Sequence, residues 1–169
     1  MIKDEIDLSR RIISPKQVVA YSKISRHEPV TVNLEPGLAI KSIRISELLS
    51  DCESACGFAV TLGYHLEEKI RVLLAQKNTV RALVLDAIGS VVAEELAELT
   101  NAQVKEDAAR NGMVTTMRFS PGYGDWHLSG QKDFLAWLGA GQIGIKLTDN
   151  FQMLPEKSVS AIIGIKNKE

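Results

Sequence analysis

Arg118 closes a methionine- and threonine-rich stretch, Met113 to Phe119, and is followed at once by Ser120-Pro121-Gly122-Tyr123-Gly124. An arginine in that place can grip a carboxylate through two parallel hydrogen bonds, the two glycines let a ligand approach the backbone closely, and Tyr123 offers a ring for stacking. The plainer alternative is a loop that only turns the chain, with Tyr123 and Trp126 covering an edge of the core. Just beyond lie Asp125 and His127, a carboxylate and an imidazole that could serve acid-base chemistry in a small-molecule enzyme, although a histidine exposed in a loop is more often simply solvated. A second constellation sits upstream. Asp86, Ser90 and Glu94 fall at i, i+4 and i+8 of an otherwise apolar helical stretch, so they form one polar file. A carboxylate that near a core needs a partner, either a neighbouring loop or a ligand facing the file.

Other chemistries find no support. No G-x-G-x-x-G follows a strand, and P-loop, G-x-S-x-G and H-E-x-x-H motifs are missing. Cys52 and Cys56 are spaced C-x3-C, unlike a zinc knuckle or a redox C-x-x-C pair, and His65 is the only nearby further ligand. No metal site is expected, and Cys56 reads as a small buried residue leading into a strand. The chain has 20 basic and 21 acidic residues, for a formal charge of −1, and only 5% aromatics. Neither a polyanion-binding field nor a stacking platform for single strands follows from such a composition. No uncharged apolar run approaches the roughly 18 residues a membrane span needs, and the acidic start Met1-Ile2-Lys3-Asp4-Glu5 is unlike a signal peptide. A cytoplasmic protein of one domain, residues 1 to 169, is expected. At that length about 70% of the unfolded surface is hidden on folding, enough for a core without disulfides.

The elements that position the two constellations follow from periodicity. Ser14 as cap and Pro15 at the first helical position predict a short helix over Ser14 to Ile24, and Glu35-Pro36-Gly37 a turn. Leu38 to Ile45 and Ala55 to Leu62 alternate and read as strands, the second ended by Gly63. Helical spacing runs from Tyr64 to about Gln76. A second helix starts near Thr79 and continues to about Leu99, with Val80, Leu83, Val84, Ala87, Ile88, Val91, Val92 and Leu96 so widely apolar that it is expected to be the central buried rod. Residues 101 to 112 read as a polar loop ending in Asn111-Gly112. Met113 to Phe119 reads as a strand that delivers Arg118 to its end. Ser129 caps a short helix to Leu138, with Phe134, Leu135 and Leu138 inward, stopped by Gly139-Ala140-Gly141. Ile143 to Thr148 and Ser158 to Ile165 are expected to be neighbouring strands near an edge. Helices and strands in this order favour an α+β fold with a twisted antiparallel or mixed sheet packed with helices.

Three stretches carry a family resemblance. R-F-S-P-G-Y at 118 to 123 resembles the R-x-x-x-G-Y motif of the S-adenosylmethionine-binding activation domain of cobalamin-dependent methionine synthase. L-T-D-N-F-Q-M-L-P-E-K-S-V-S at 147 to 160 is similar to that family's L-T-E-S-x-x-M-x-P-x-x-S-V-S-G, ungapped. L-D-A-I-G-S at 85 to 90 is similar to the start of the family's long helix. The resemblance covers roughly residues 79 to 165, and the first half is loosely similar, chiefly to the short standalone relatives of this domain.

It implies an activation-domain-like fold and an accessory role in corrinoid chemistry: reductive reactivation of a cobalamin-dependent methionine synthase, a methyltransferase of methionine biosynthesis. S-adenosylmethionine would be this chain's own ligand, and cobalamin would be carried by the partner, a corrinoid-binding methionine synthase or related methyltransferase. Electrons would come from a donor such as flavodoxin. By the family pattern Arg118 holds the ligand carboxylate, Pro121, Gly122, Tyr123 and Gly124 line the adenosyl pocket, and Asp86 begins the helix file. Where the family has a glutamate one turn on, this chain has Ser90, with Glu94 a further turn along. Asp125 stands in the segment that replaces the family's P-x-C-x-x-H and is a candidate substitute charge. The family's C-terminal segment with its pocket tyrosine is expected to be lacking. The alternative role is a non-catalytic docking or chaperone module for a corrinoid protein that has lost the ligand site.

Overall fold

A computed structural model describes residues 2–168. The chain opens with helix α1 (Ile2–Ile12), followed by strands β1 (Lys16–Glu28), β2 (Thr31–Leu34) and β3 (Leu38–Lys41) and the short helix α2 (Ile43–Leu48). Strand β4 (Ser54–Thr61) leads into α3 (His65–Ala75) and the long α4 (Thr79–Arg110). After β5 (Met113–Thr115) come α5 (Gln131–Leu138), the small strands β6 (Lys146–Leu147) and β7 (Met153–Leu154), and β8 (Ser158–Asn167). Six strands form one sheet in the order β3-β2-β1-β4-β8-β5, while β6 and β7 pair separately. Every pair in the larger sheet is antiparallel, so the α+β expectation holds in its antiparallel form. Among the described residues, no helix is long and apolar enough to cross a membrane.

Alternation along β4 and β8 sends neighbouring side chains to opposite faces. Ala59 and Ile162 join Ile45, Leu49, Phe134 and Leu138 beneath α2 and α5. Phe58, Val60 and Ile163 meet Ala97, Val104 and Ala108 of α4 on the other face. A third cluster, with Leu62, Leu66, Leu73 and Leu85, fills the angle between α3 and α4. Cys56 and Cys52 are both free thiols and pack against different clusters. Burial pushes the Cys56 thiol up to about 12, which leaves it protonated and unreactive at neutral pH.

Several sequence expectations are corrected here. Ser14 to Ile24 is not helical: Lys16–Glu28 is a strand that pairs with both β4 and β2. Ser14 is drawn alongside β4 by its N–H, which donates to the Leu62 carbonyl at 2.8 Å. Strand Leu38 to Ile45 stops at Lys41, because Ser42 caps α2. The polar stretch 101 to 110 continues α4, with Thr100, Val104 and Ala108 keeping the buried spacing. Nor is α4 a central rod. Its buried line runs through Ala82, Leu85, Gly89, Ala93 and Ala97, with Ala82, Leu85 and Ala93 packed in the cluster that holds Leu66 and Leu73 of α3 and Ala97 against the sheet, whereas Val80, Leu83 and Val91 are exposed. Finally, β8 is no edge neighbour of 143–148. It runs between β4 and β5, and Lys146–Leu147 pairs with Met153–Leu154 instead.

Candidate functional site

The site begins with how β5 gives out. Its ladder to β8 covers only Met113–Thr115 against Ile165–Asn167. Next, Gly164 N–H donates to Thr116 Oγ1 at 2.9 Å, and Phe119 and Ile162 exchange backbone hydrogen bonds at 2.9 and 2.8 Å. Past Phe119 the chain turns away at Pro121. Alternate residues of an antiparallel strand present their N–H and C=O to the same edge, so the backbone groups of Ser160 and Ser158 follow Ile162 onto a stretch of edge that no strand covers. A groove of about 1000 Å³ opens there. Its floor is Ser158 to Ser160, one wall is the Glu94, Glu98 and Asn101 side of α4, and the other comprises Pro121, Tyr123, Gln131 and the β6–β7 hairpin.

Arg118 lies across this groove with its side chain 20% exposed. Its Nε donates to Glu98 Oε1 at 2.9 Å, and its Nη2 reaches both Glu98 Oε1, at 2.8 Å, and Glu94 Oε1. Burial works against the cation, but these hydrogen bonds outweigh it and raise the Arg118 pKa above its ordinary value. The guanidinium is thus held in place by carboxylates one helical turn apart. With Glu156, the lining carries three carboxylates and one guanidinium.

The helix file therefore divides. Lys157, whose side chain is 10% exposed, bonds Asp86 Oδ1 at 2.7 Å and Ser90 Oγ at 2.9 Å. Asp86 faces a separate hollow of about 450 Å³ between α3 and α4, and neither it nor Ser90 lines the groove. Glu94 does line it, with Arg118.

Of the loop residues, Pro121 is buried against the groove and Tyr123, 68% exposed, stands at its rim. Gly122 takes φ +92°, and a Cβ there would sit 3.3 Å from Leu128. Gly124 takes φ +56° where the loop meets Phe119 and Arg44. Neither glycine lines the groove, and Asp125 turns away from it onto the start of α2. Three hydrogen bonds there occupy the Asp125 carboxylate, which is not paired with the exposed His127.

Sequence reasoning missed Glu98, Gln131 and Lys157. Glu98 is the next member of the file after Glu94, one further turn along the same face and still inside the helix expected from the sequence, so the i+4 spacing could have found it. Gln131, 3% exposed, donates to the Phe151 carbonyl at 2.7 Å and accepts from Ser160 Oγ at 3.2 Å, joining hairpin to floor; no local signal marks it. Among the described residues, no group of three or more His, Cys, Asp or Glu is placed to hold a metal.

The model of one family, the activation domain of vitamin B12 dependent methionine synthase, matches residues 44–169. This chain belongs to that family. The matched span of this activation domain includes α4, Arg118, the glycine-tyrosine loop, the hairpin and β8, all the parts that enclose the groove. Among solved structures it is similar to the MetH reactivation domain, crystallised bound to AdoHcy, with a TM-score of 0.75 and 18% identity. That likeness covers 96% of this chain and 63% of the other, and at this identity it is a likeness of fold. No curated protein matches the sequence.

Proposed function

We propose that this activation domain is a standalone accessory subunit for the reductive reactivation of a cobalamin-dependent methionine synthase. It binds S-adenosylmethionine in the groove between α4 and the open edge of β8 and presents the methyl group to a corrinoid carried by a partner. It works as one domain in the cytoplasm, with an electron donor such as flavodoxin. The partner's cobalamin supplies the cobalt that receives the methyl group. This chain's share is binding and aim. Arg118 takes the ligand carboxylate, Glu94 and Glu98 offset the ammonium and sulfonium charges, and the edge groups of Ser158 and Ser160 meet the polar parts of the nucleoside. The rim ring of Tyr123 is available for stacking on the adenine.

The observation that carries this reading is the placement of Arg118, aimed along a groove by two carboxylates that also line it. The lining's excess of carboxylates suits a ligand of net positive charge, and Ser90 need not supply that charge because Glu94 and Glu98 lie further along the same face. Titration calorimetry tests it. Arg118→Ala is expected to weaken S-adenosylmethionine by about 2 to 3 kcal/mol, the scale of a charged two-point contact; no heat from the native chain at millimolar ligand overturns the binding.

One observation favours the second reading, a docking or chaperone module without a ligand. Lys157 takes up Asp86 and Ser90, which open the helix file. Capture of a corrinoid methyltransferase that survives replacement of both Arg118 and Tyr123, in a chain that binds no S-adenosylmethionine, supports that reading instead.

A further inference from the structure

Asp125 lies two residues after Tyr123, yet its carboxylate points out of the groove and into the start of α2. Oδ1 accepts from Ser42 Oγ at 2.6 Å and from the Arg44 N–H at 3.2 Å, and Oδ2 accepts from the Ile43 N–H at 2.6 Å. Ser42 Oγ in turn accepts from the Ile45 N–H at 3.0 Å, so both side chains satisfy free donors of the same first turn. What they hold to is fixed: Ser42 is 3% exposed and Ile45 is fully buried. The loop brought to this anchor has internal bonds of its own. Gly122 N–H donates to the Trp126 carbonyl at 2.8 Å, and Trp126 N–H to that of Tyr123 at 3.1 Å. Gly124 is pressed between Phe119 and Arg44, where a Cβ would stand 3.3 and 3.4 Å from their side chains. Tyr123 itself projects into solvent at the lip. Its position is therefore set from outside the groove, through Trp126 on one side and Asp125 on the other.

We infer that Asp125 is a positioning residue: it ties the Tyr123 rim to α2 and so fixes one wall of the groove without meeting the ligand itself. Its effect on the ligand rests on the proposed reading of the groove; its effect on the loop does not. The hydrogen bond from Ser42, with those from the Ile43 and Arg44 N–H groups, holds the carboxyl below its ordinary value, which keeps the anchor charged at neutral pH.

Two measurements on the full chain test this. In amide hydrogen exchange, Asp125→Ala is expected to speed exchange of the Gly122 and Trp126 amides at least tenfold while the Phe58 and Ile162 amides of the central strands keep their rates. Ser42→Ala, which removes one of the three bonds and leaves the carboxylate, is expected to fall between Asp125→Ala and the native chain. It also serves where the alanine at 125 folds poorly. In calorimetry, Asp125→Ala is expected to weaken S-adenosylmethionine at least fivefold, and less than twofold when Tyr123 is already alanine, because the effect passes through that ring. Unchanged rim exchange in both variants, exchange raised equally in the central strands, or an equal affinity loss in the two backgrounds overturns the inference. A native chain that binds no S-adenosylmethionine overturns the groove reading and the ligand effect with it, and the exchange result then decides the anchor alone.

Discussion

At the scale of single residues, Arg118 and Lys157 share the acidic face of α4 between them, and each division has a consequence. Lys157 is nearly buried while Asp86, its partner, is half exposed, so removing the lysine leaves a carboxylate that water can still reach. Lys157→Met is accordingly expected to lower stability by only about 1 to 2 kcal/mol in denaturant titration, less than the loss of a fully buried pair. At Arg118 the planar fork matters as much as the charge, since one side chain reaches both Glu94 and Glu98. Arg118→Lys should therefore recover little of the affinity lost in Arg118→Ala. The Asp125 anchor adds a pH expectation. Its folded pKa lies below the ordinary 3.8, so the contribution is fully present above that value and is lost as pH falls through the folded one. The neighbouring charges are those of Arg44 and Glu47, which pair with each other. Rim exchange measured from pH 7 down to pH 4 should keep its protection and lose it only below that range.

Among elements, α4 decides most. Its mostly small contact line brings it close to α3 and the sheet, and Gly89 sits at a tight approach to α3, where an added Cβ would run into Leu66 and come within 3.2 Å of Lys157. Gly89→Ala is expected to cost about 1 to 3 kcal/mol despite alanine's better helix propensity. Leu83→Gln, at a larger but exposed apolar side chain, should stay within about 0.5 kcal/mol when both variants are compared by thermal unfolding. The pair also shows what the sequence could reveal. Periodicity located the start of α4, but it weighted the large apolar residues, and the small ones mark the buried line. Helix α3, strand β4, α5 and the Arg118 loop were legible because local pattern and tertiary environment agree there. Strand β1 was not. Its Ser-Pro start mimics a helix cap, and only pairing with β4 and β2, both distant in sequence, makes it extended. The groove was legible as a list of residues and not as a shape, since its floor is an edge that exists only because β5 ends early.

On the scale of the whole molecule, near-neutral net charge coexists with a locally acidic groove. Glu94, Glu98 and Glu156 against Arg118 favour a cation over its neutral counterpart. Loss of the methyl group turns the sulfonium into a thioether and removes one positive charge. S-adenosylhomocysteine is therefore expected to bind roughly three- to tenfold more weakly than S-adenosylmethionine at low salt, with the gap closing as salt screens the carboxylates. The central claim, that S-adenosylmethionine occupies the groove between α4 and β8, is tested most directly by chemical-shift mapping of the native chain titrated with that ligand. The account predicts saturable shifts at the amides of Arg118, Tyr123, Ser158 and Ser160, with those of α1 unmoved; no shifts at these positions, or shifts centred elsewhere, would contradict it.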